Sequence, residues 1–359
     1  MKNKLFKSVA LFLAVIPLFL TGCGSLSVLS FSNGFSAYLG DGNVTPGYTQ
    51  TLNYSVYYSD SEYFPKDDSI DDNVTIQFLD GNYTSTLTTI QIMPNNLESL
   101  AFIDTSSDIS ALVSGEGIIK LTTNFTITSV FTEGETEYRH DDFIYTEVYF
   151  ATKKHSFAPI FAKSYSSYTI ASYANGVYFF YVSDAQTETL YSSNSYTIKT
   201  RNNAYTFDEP TPDKINDKEW SSDTIDYKFR TIIDNTQLLF ALRNVTIDTE
   251  SSFNLPTVSP AYKEYKTLRV LNGANTEDTI NVAYNGTALN EEKIKVSNLN
   301  YAINDTSAQG ETKFVSVQRE ASSNIPNMHL PVVFAEPLIF YQSFVKMGAL
   351  VFKINSVNV

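Results

Sequence analysis

Cysteine, histidine and tryptophan are scarce in this chain of 359 residues, which has one Cys, three His and one Trp. A single cysteine excludes a disulfide scaffold and a cysteine-based zinc site. Glycine (15) and proline (12) are too few for a collagen-like or low-complexity chain. Basic residues number 25 against 39 acidic ones, and this net charge of −14 excludes the basic surface that a nucleic-acid partner requires.

Catalytic motifs are missing as well. The sequence contains no HExxH, no GxxxxGK[ST], no GxSxG and no GxGxxG after a strand. We therefore predict no catalytic residue and no cofactor, and expect the protein to act by binding. Hydrophobic residues make up 43% of the chain, which excludes wholesale disorder.

The first 22 residues have the features of a secretion signal. Lysines at positions 2, 4 and 7 precede the apolar run Val9–Leu20, which is too short for a membrane-spanning helix of about 20 residues. The segment Leu20-Thr21-Gly22-Cys23 follows and resembles the lipobox of bacterial lipoproteins. The resemblance implies cleavage before Cys23, a lipid on its thiol and an extracytoplasmic protein anchored to the membrane. It does not imply an activity.

Removal of this signal makes the chain more acidic. It leaves 22 basic and 39 acidic residues, a net charge of −17, because the signal contains three lysines and no carboxylate. Lysine outnumbers arginine by 19 to 6, and Asn, Ile and Tyr are frequent. That composition is typical of AT-rich coding and favours a Gram-positive cell surface.

The remaining chain shows the alternation of apolar and polar residues that is typical of β-strands. Aromatic and β-branched residues recur at every second position in segments that run through both halves of the chain. The strands are predicted at 51–58, 73–79, 118–131, 143–151, 165–173, 177–182, 225–233, 265–271, 279–284, 293–296, 314–319, 338–341 and 349–354. Asp80-Gly81, Asn175-Gly176 and Asn285-Gly286 predict hairpin turns, and 237–242 predicts either a short helix or a strand.

The clearest candidate boundary is Asp208–Asp223, which contains two prolines and eight charged residues. Such a composition is typical of a linker or a long loop. It predicts two antiparallel β-sandwich-like domains, at 23–207 and 224–359, each long enough for one sandwich core. The alternative is one large sandwich that this segment crosses as a loop.

Three groups of residues are candidate sites. His140 stands beside Asp141 and Asp142, where it could ligate a metal or act as a base, but the alternating acidic residues before it also fit a hairpin face. Crowded carboxylates in one loop suit calcium, although the spacing is not that of an EF-hand; they are Asp67, Asp68, Asp71 and Asp72. Exposed aromatic side chains could stack on sugar rings, although core packing explains most of them; the candidates are Tyr165, Tyr168, Tyr173, Tyr178, Tyr181 and Trp220.

These observations favour a lipid-anchored surface protein that binds a glycan, the cell wall or another envelope protein. One alternative is a carrier for a lipid or another apolar ligand, which would need a cavity lined by apolar side chains. The other is a hydrolase that uses two carboxylates in a cleft.

Overall fold

The computed structural model describes eleven segments of the chain. They are residues 48–68, 74–90, 118–152, 157–174, 177–207, 213–227, 232–243, 252–259, 264–303, 312–340 and 345–359. The predicted signal peptide, Cys23 and the carboxylates Asp71 and Asp72 lie outside these residues. Their predicted roles therefore stay predictions.

Fifteen strands make up most of the described residues, and the prediction of an all-β chain is confirmed. They are β1 (Thr49–Ser59), β2 (Val74–Ile90), β3 (Ile118–Glu133), β4 (Thr136–Phe150), β5 (Pro159–Ala174), β6 (Val177–Tyr191), β7 (Ser195–Thr206), β8 (Ser221–Asp226), β9 (Ile233–Asp234), β10 (Ser252–Ser259), β11 (Glu264–Tyr284), β12 (Thr287–Ile303), β13 (Lys313–Gln318), β14 (Pro331–Ile339) and β15 (Lys346–Asn358). Among the described residues there is one short α-helix, α1 (Leu238–Arg243), which follows a 3₁₀ turn at Asn235–Gln237.

The strands form one hydrogen-bonded sheet in the order β8 to β1 and then β15 to β9. The two halves of the chain meet where β1 pairs antiparallel with β15, from Thr51 opposite Asn358 to Ser59 opposite Ala349. A short parallel pairing between β15 and β11 closes β11 to β15 into a ring of five strands. The observed sheet differs in this detail from the two separate sandwiches that the sequence predicts. Strand β1 forms backbone hydrogen bonds with a strand of the other half of the chain.

Alternation along the strands positions the core. In β1 the side chains of Leu52, Tyr54 and Val56 are buried, and their neighbours are more exposed. They join α1 and strands β11 to β15 in the largest apolar cluster. A second cluster fills the space between β2 to β7 and the segment from β9 to β10, with Phe240 of α1 against Phe150.

The two Asx-Gly pairs that the structure describes behave differently. Asn285-Gly286 has φ values of 46° and 80° and forms the tight turn between β11 and β12, as predicted. Asp80-Gly81 was predicted to be a turn, but it lies inside β2 as a bulge. Asp80 has a φ of 51°, and a Cβ on Gly81 would lie 2.8 Å from Val56. The pair therefore bends a long strand where the backbones come close, instead of ending it.

The second part of the predicted linker is folded against the sheet, while residues 208–212 lie outside the described segments. Ile215 is buried in a 3₁₀ turn, and β8 pairs with β7 from Thr200 opposite Ser221. Polar composition concealed this strand, because β8 is an edge strand and nearly all its side chains are exposed. The predicted division of the chain into two domains stays a prediction.

Candidate functional site

The predicted aromatic candidates separate into exposed and packed residues. Tyr173 and Tyr178 lie opposite each other on β5 and β6, with ring centroids 4.6 Å apart, and Tyr178 also contacts Phe340. These two tyrosines therefore belong to a core cluster. Tyr165 and Trp220 keep 38% and 40% of their surface exposed.

Tyr168 and Tyr181 lie on the other face of the sheet from Tyr165. On β5 and β6, Tyr165 pairs with Gln186, while Tyr168 pairs with Ser183 and Ile170 with Tyr181. Since successive side chains of a strand point to opposite faces, the even residues of β5 share a face that excludes Tyr165. The predicted aromatic residues therefore lie on two opposite faces of the sheet.

Strand register places Tyr165 in the middle of a row of large side chains that crosses four strands. Tyr145 of β4 is opposite Tyr165 of β5, Tyr165 is opposite Gln186 of β6, and Gln186 is opposite Arg201 of β7. Two spacings of about 4.8 Å separate Tyr165 from Arg201. We call this row, with Trp220 and the adjacent charged row, the β4–β7 face.

Arg201 holds Trp220 beside this row. Its guanidinium carbon lies 4.7 Å from the centre of the indole ring, a cation–π contact. Arg201 Nε donates to Gln186 Oε1 at 2.7 Å, and Arg201 Nη2 donates to Asn216 Oδ1 at 2.8 Å. Three partners therefore fix the guanidinium, which in turn supports the exposed indole.

The charged row runs parallel to the first, two residues along each strand. It alternates in sign, because Glu147 is opposite Lys163, Lys163 is opposite Glu188, and Glu188 is opposite Lys199. Alternating charges directly opposite one another stabilise adjacent strands. They also provide donors and acceptors side by side along the edge of the aromatic row.

Glu147 stands at the β4 end of this row and is 4% exposed. Its carboxylate accepts hydrogen bonds from the hydroxyls of Tyr145, at 2.6 Å, and Tyr149, and lies 3.4 Å from the ammonium nitrogens of both Lys120 and Lys163. Burial raises the pKa of Glu147, but these hydrogen bonds and charges outweigh burial and lower the pKa overall. Burial and Glu147 together raise the pKa of Tyr145 to about 12, so this phenol stays a donor.

His140 lies inside β4 and not at the hairpin tip, which is at Gly134. Its Nδ1 is 2.7 Å from Asp142 Oδ1, and its Nε2 is 3.3 Å from Ser167 Oγ. This order of groups occurs in serine hydrolases. Here Asp142 also accepts from Thr169 N at 2.9 Å, Ser167 is 6% exposed, and the network joins β4 to β5 where their backbone pairing ends.

The two calcium candidates inside the described residues do not lie in a ligand cluster. Asp67 Oδ2 accepts the N–H of Lys346 at 2.7 Å, while Asp67 N donates to the carbonyl oxygen of Lys346. Asp67 therefore fastens its segment to the start of β15. Within the eleven described segments, no three His, Cys, Asp or Glu side chains come together as a metal site.

Sequence reasoning missed Tyr145, Glu147, Lys163, Gln186 and Arg201. Each is an ordinary strand residue, and only the register of four strands brings them together. The one local signal was the odd-numbered spacing of Tyr145, Glu147 and Tyr149, which indicates a shared face but not its neighbours.

Among the described helical residues, none forms a helix long and apolar enough to cross a membrane. No family model and no curated protein matches the sequence. One solved structure with a similar fold is a β-barrel-like protein of the domain of unknown function DUF1849 from Brucella abortus. The two chains are 8% identical with a TM-score of 0.43, over 87% of this chain and 98% of the other.

Proposed function

We propose that this chain is an extracytoplasmic lipoprotein, anchored through Cys23, that binds a polysaccharide of the cell envelope on the β4–β7 face. Its role is contact or adhesion and not catalysis. The observation that carries the proposal is the row of Tyr145, Tyr165, Gln186 and Arg201, which extends to an indole held by Arg201.

The chemistry of this face suits a sugar chain. Sugar rings present C–H groups on their faces and hydroxyls around their edges, so a receptor needs apolar planes next to paired donors and acceptors. Tyr165 and Trp220 supply exposed rings, and Lys163, Glu188 and Lys199 supply charged donors and acceptors beside them. A row that crosses four strands suits an extended chain better than a small molecule, which is usually enclosed in a concave pocket.

The contacts of Arg201 support binding without rearrangement. Its guanidinium is held by an indole, an amide oxygen of Gln186 and an oxygen of Asn216, so little side-chain entropy remains to be lost when a ligand binds. Ring edges at fixed positions also favour one register of the sugar chain.

The test uses Tyr165→Ala and Trp220→Ala in the full chain, with Tyr168→Ala as the matched control. Tyr168 is as exposed as Tyr165 but lies on the opposite face of β5. Binding to isolated cell walls and to soluble oligosaccharides of glucose and N-acetylglucosamine is measured by pulldown and calorimetry. We expect each face variant to bind at least tenfold more weakly, a loss of about 1.4 kcal/mol, and the control to bind normally.

Saturable binding that survives both substitutions, or equal loss in the control, would contradict the proposed face. The anchor is tested separately by metabolic labelling with a fatty acid. We expect label on the native chain and none on Cys23→Ala, because the resemblance places the lipid on that thiol.

A further inference from the structure

A cleft of about 370 Å³ lies between strands β1, β14 and β15 and the segment that follows β1. It is lined by Tyr57, Glu62, Tyr63, Val333 and Lys353. Lys353 pairs with Ser55 on one side and with Val333 on the other, so the strands form the floor. Its volume is in the range of small-molecule sites. None of its residues belongs to the β4–β7 face, so the site is independent of the proposed function.

The segment after β1 is held in place over this floor. Ser59 Oγ accepts the N–H of Glu62 at 3.0 Å, and Asp67 is fastened to Lys346 by two hydrogen bonds. Tyr63 has a φ of 59°, which is an outlier for a bulky side chain, and its ring lies 4.6 Å from that of Phe314. Such a conformation persists only where its surroundings impose it, and such residues cluster at active sites and ligand clamps.

Two exposed phenol rings and one carboxylate line the cleft. Tyr57 and Tyr63 are 39% and 43% exposed. Tyr57 OH donates to Glu62 Oε2 at 2.9 Å, and burial together with Glu62 raises the pKa of Tyr57 to about 12. Tyr57 therefore stays neutral and uses its hydroxyl on Glu62, which leaves its ring and the remaining charge of the carboxylate for a ligand.

The only cation that lines the cleft is Lys353, which is exposed and forms no ion pair with the residues that the structure describes. A ligand that uses both charges must carry a positive group for Glu62 and a negative group for Lys353. Aromatic rings beside a carboxylate favour a quaternary ammonium, through cation–π attraction to the ring faces. A primary ammonium is less suitable because it needs several hydrogen-bond acceptors, and one oxygen of Glu62 already accepts from Tyr57.

We propose that this cleft binds phosphocholine, with the trimethylammonium group against Tyr57, Tyr63 and Glu62 and the phosphate on Lys353. Phosphocholine occurs both as a substituent of envelope polymers and as the headgroup of a phospholipid. Both sources present the same two charges to the cleft, and the experiment below distinguishes them.

The experiment measures binding of phosphocholine, choline and inorganic phosphate to the full-length chain by calorimetry. We expect saturable binding of phosphocholine, with choline at least tenfold weaker and phosphate weaker still. Tyr63→Ala should reduce the affinity for phosphocholine at least tenfold. Lys353→Met should reduce it to that of choline and leave the affinity for choline unchanged, a result that a general loss of folding could not produce. Tyr168→Ala, far along the sheet on β5, is the control and should bind phosphocholine normally.

The source is distinguished with the full-length Cys23→Ser variant, which cannot carry a lipid on that residue. Co-sedimentation with phosphatidylcholine vesicles but not with phosphatidylglycerol vesicles identifies the lipid headgroup, and binding of free phosphocholine alone identifies the polymer substituent. The proposal is overturned if phosphocholine gives no saturable binding, if Tyr63→Ala binds it normally, or if a neutral monosaccharide binds more tightly.

Discussion

Asp142 Oδ1 lies 2.9 Å from the backbone nitrogen of Thr169, and this contact takes over where the backbone pairing of β4 with β5 ends. The last backbone-paired residues are Phe143 and Ser167. Beyond them the β3–β4 and β5–β6 hairpins contact each other through side chains, with the rings of Phe131 and Phe180 5.0 Å apart. One carboxylate therefore continues the connection between β4 and β5 beyond their last backbone pair.

Asp142→Ala should lower the free energy of unfolding by about 2–4 kcal/mol, because it leaves the N–H and hydroxyl of Thr169 without their buried acceptor. Ser167→Ala should cost less than about 1 kcal/mol, since its contact with His140 is long at 3.3 Å. Urea unfolding measures both. Equal midpoints for Asp142→Ala and the native chain would show that the carboxylate does not connect these strands.

Tyr191→Phe and Asp234→Ala should prove to be coupled. Asp234 is fully buried, accepts from Tyr191 OH, and caps the turn before α1 by accepting from Thr236 N at 2.8 Å. Asp234→Ala should cost about 2–4 kcal/mol, the sum of a lost cap and an unsatisfied hydroxyl. In the double variant the loss should be smaller than the sum of the single losses by at least about 0.5 kcal/mol. Additive losses in urea unfolding would mean that the two groups act independently.

Gly348 should be far less tolerant of alanine than Gly134. Both have positive φ, but a Cβ on Gly348 would lie 2.6 Å from Ser59 O, whereas a Cβ on Gly134 would meet nothing within 4 Å. Gly134→Ala should cost about 1 kcal/mol of conformational strain. Gly348→Ala should lower the free energy of unfolding by at least about 2 kcal/mol more than Gly134→Ala, because the backbone at Ser59 must move. It should also lower the yield of folded protein. Similar thermal midpoints for the two variants would contradict this.

Acidification should destabilise the fold through His329, which is 7% exposed. Burial, followed by the charges of Arg319 and Arg243, lowers its pKa from 6.5 to about 4. Above pH 6.5 the residue is neutral in both the folded and unfolded states, so it does not lower the free energy of unfolding. Between pH 6.5 and about 4 only the unfolded state gains the proton, and the stability lost is on the order of 2–3 kcal/mol.

The matched variant is His329→Asn, chosen because Asn tolerates the φ of 51° found at this position. Its free energy of unfolding should change less between pH 7 and pH 5 than that of the native chain. Parallel pH profiles for the two proteins would assign the acid sensitivity to other groups.

Local periodicity predicted most strands, because one buried face imposes alternation along a strand. Thr51–Tyr58 became β1, and the Asn-Gly turn at 285–286 joins β11 to β12. The strand predicted at Phe143–Ala151 is the second half of a longer β4. Strands β7 and β10, as well as most of β8, were missed, although Tyr196 and Ile198 of β7 do alternate with polar residues.

The pairing of strands that are distant in sequence could not be predicted from local periodicity. The pairing of β1 with β15 joins residues about three hundred positions apart, and no local pattern specifies the partner of a strand. The same reason applies to the candidate site. Tyr165 and Trp220 were predicted individually, but Gln186 and Arg201, which connect them, became visible only with the register of β5, β6 and β7.

The partnership of β1 with β15 also constrains when the protein can fold. A strand near the start of the described chain cannot complete its hydrogen bonds until Lys346–Asn358 has been synthesised. Contacts this distant in sequence form slowly, so β1 lacks one of its two partner strands until synthesis is nearly complete. The β1–β15 junction is therefore a late step of folding, which joins the two ends of the described chain.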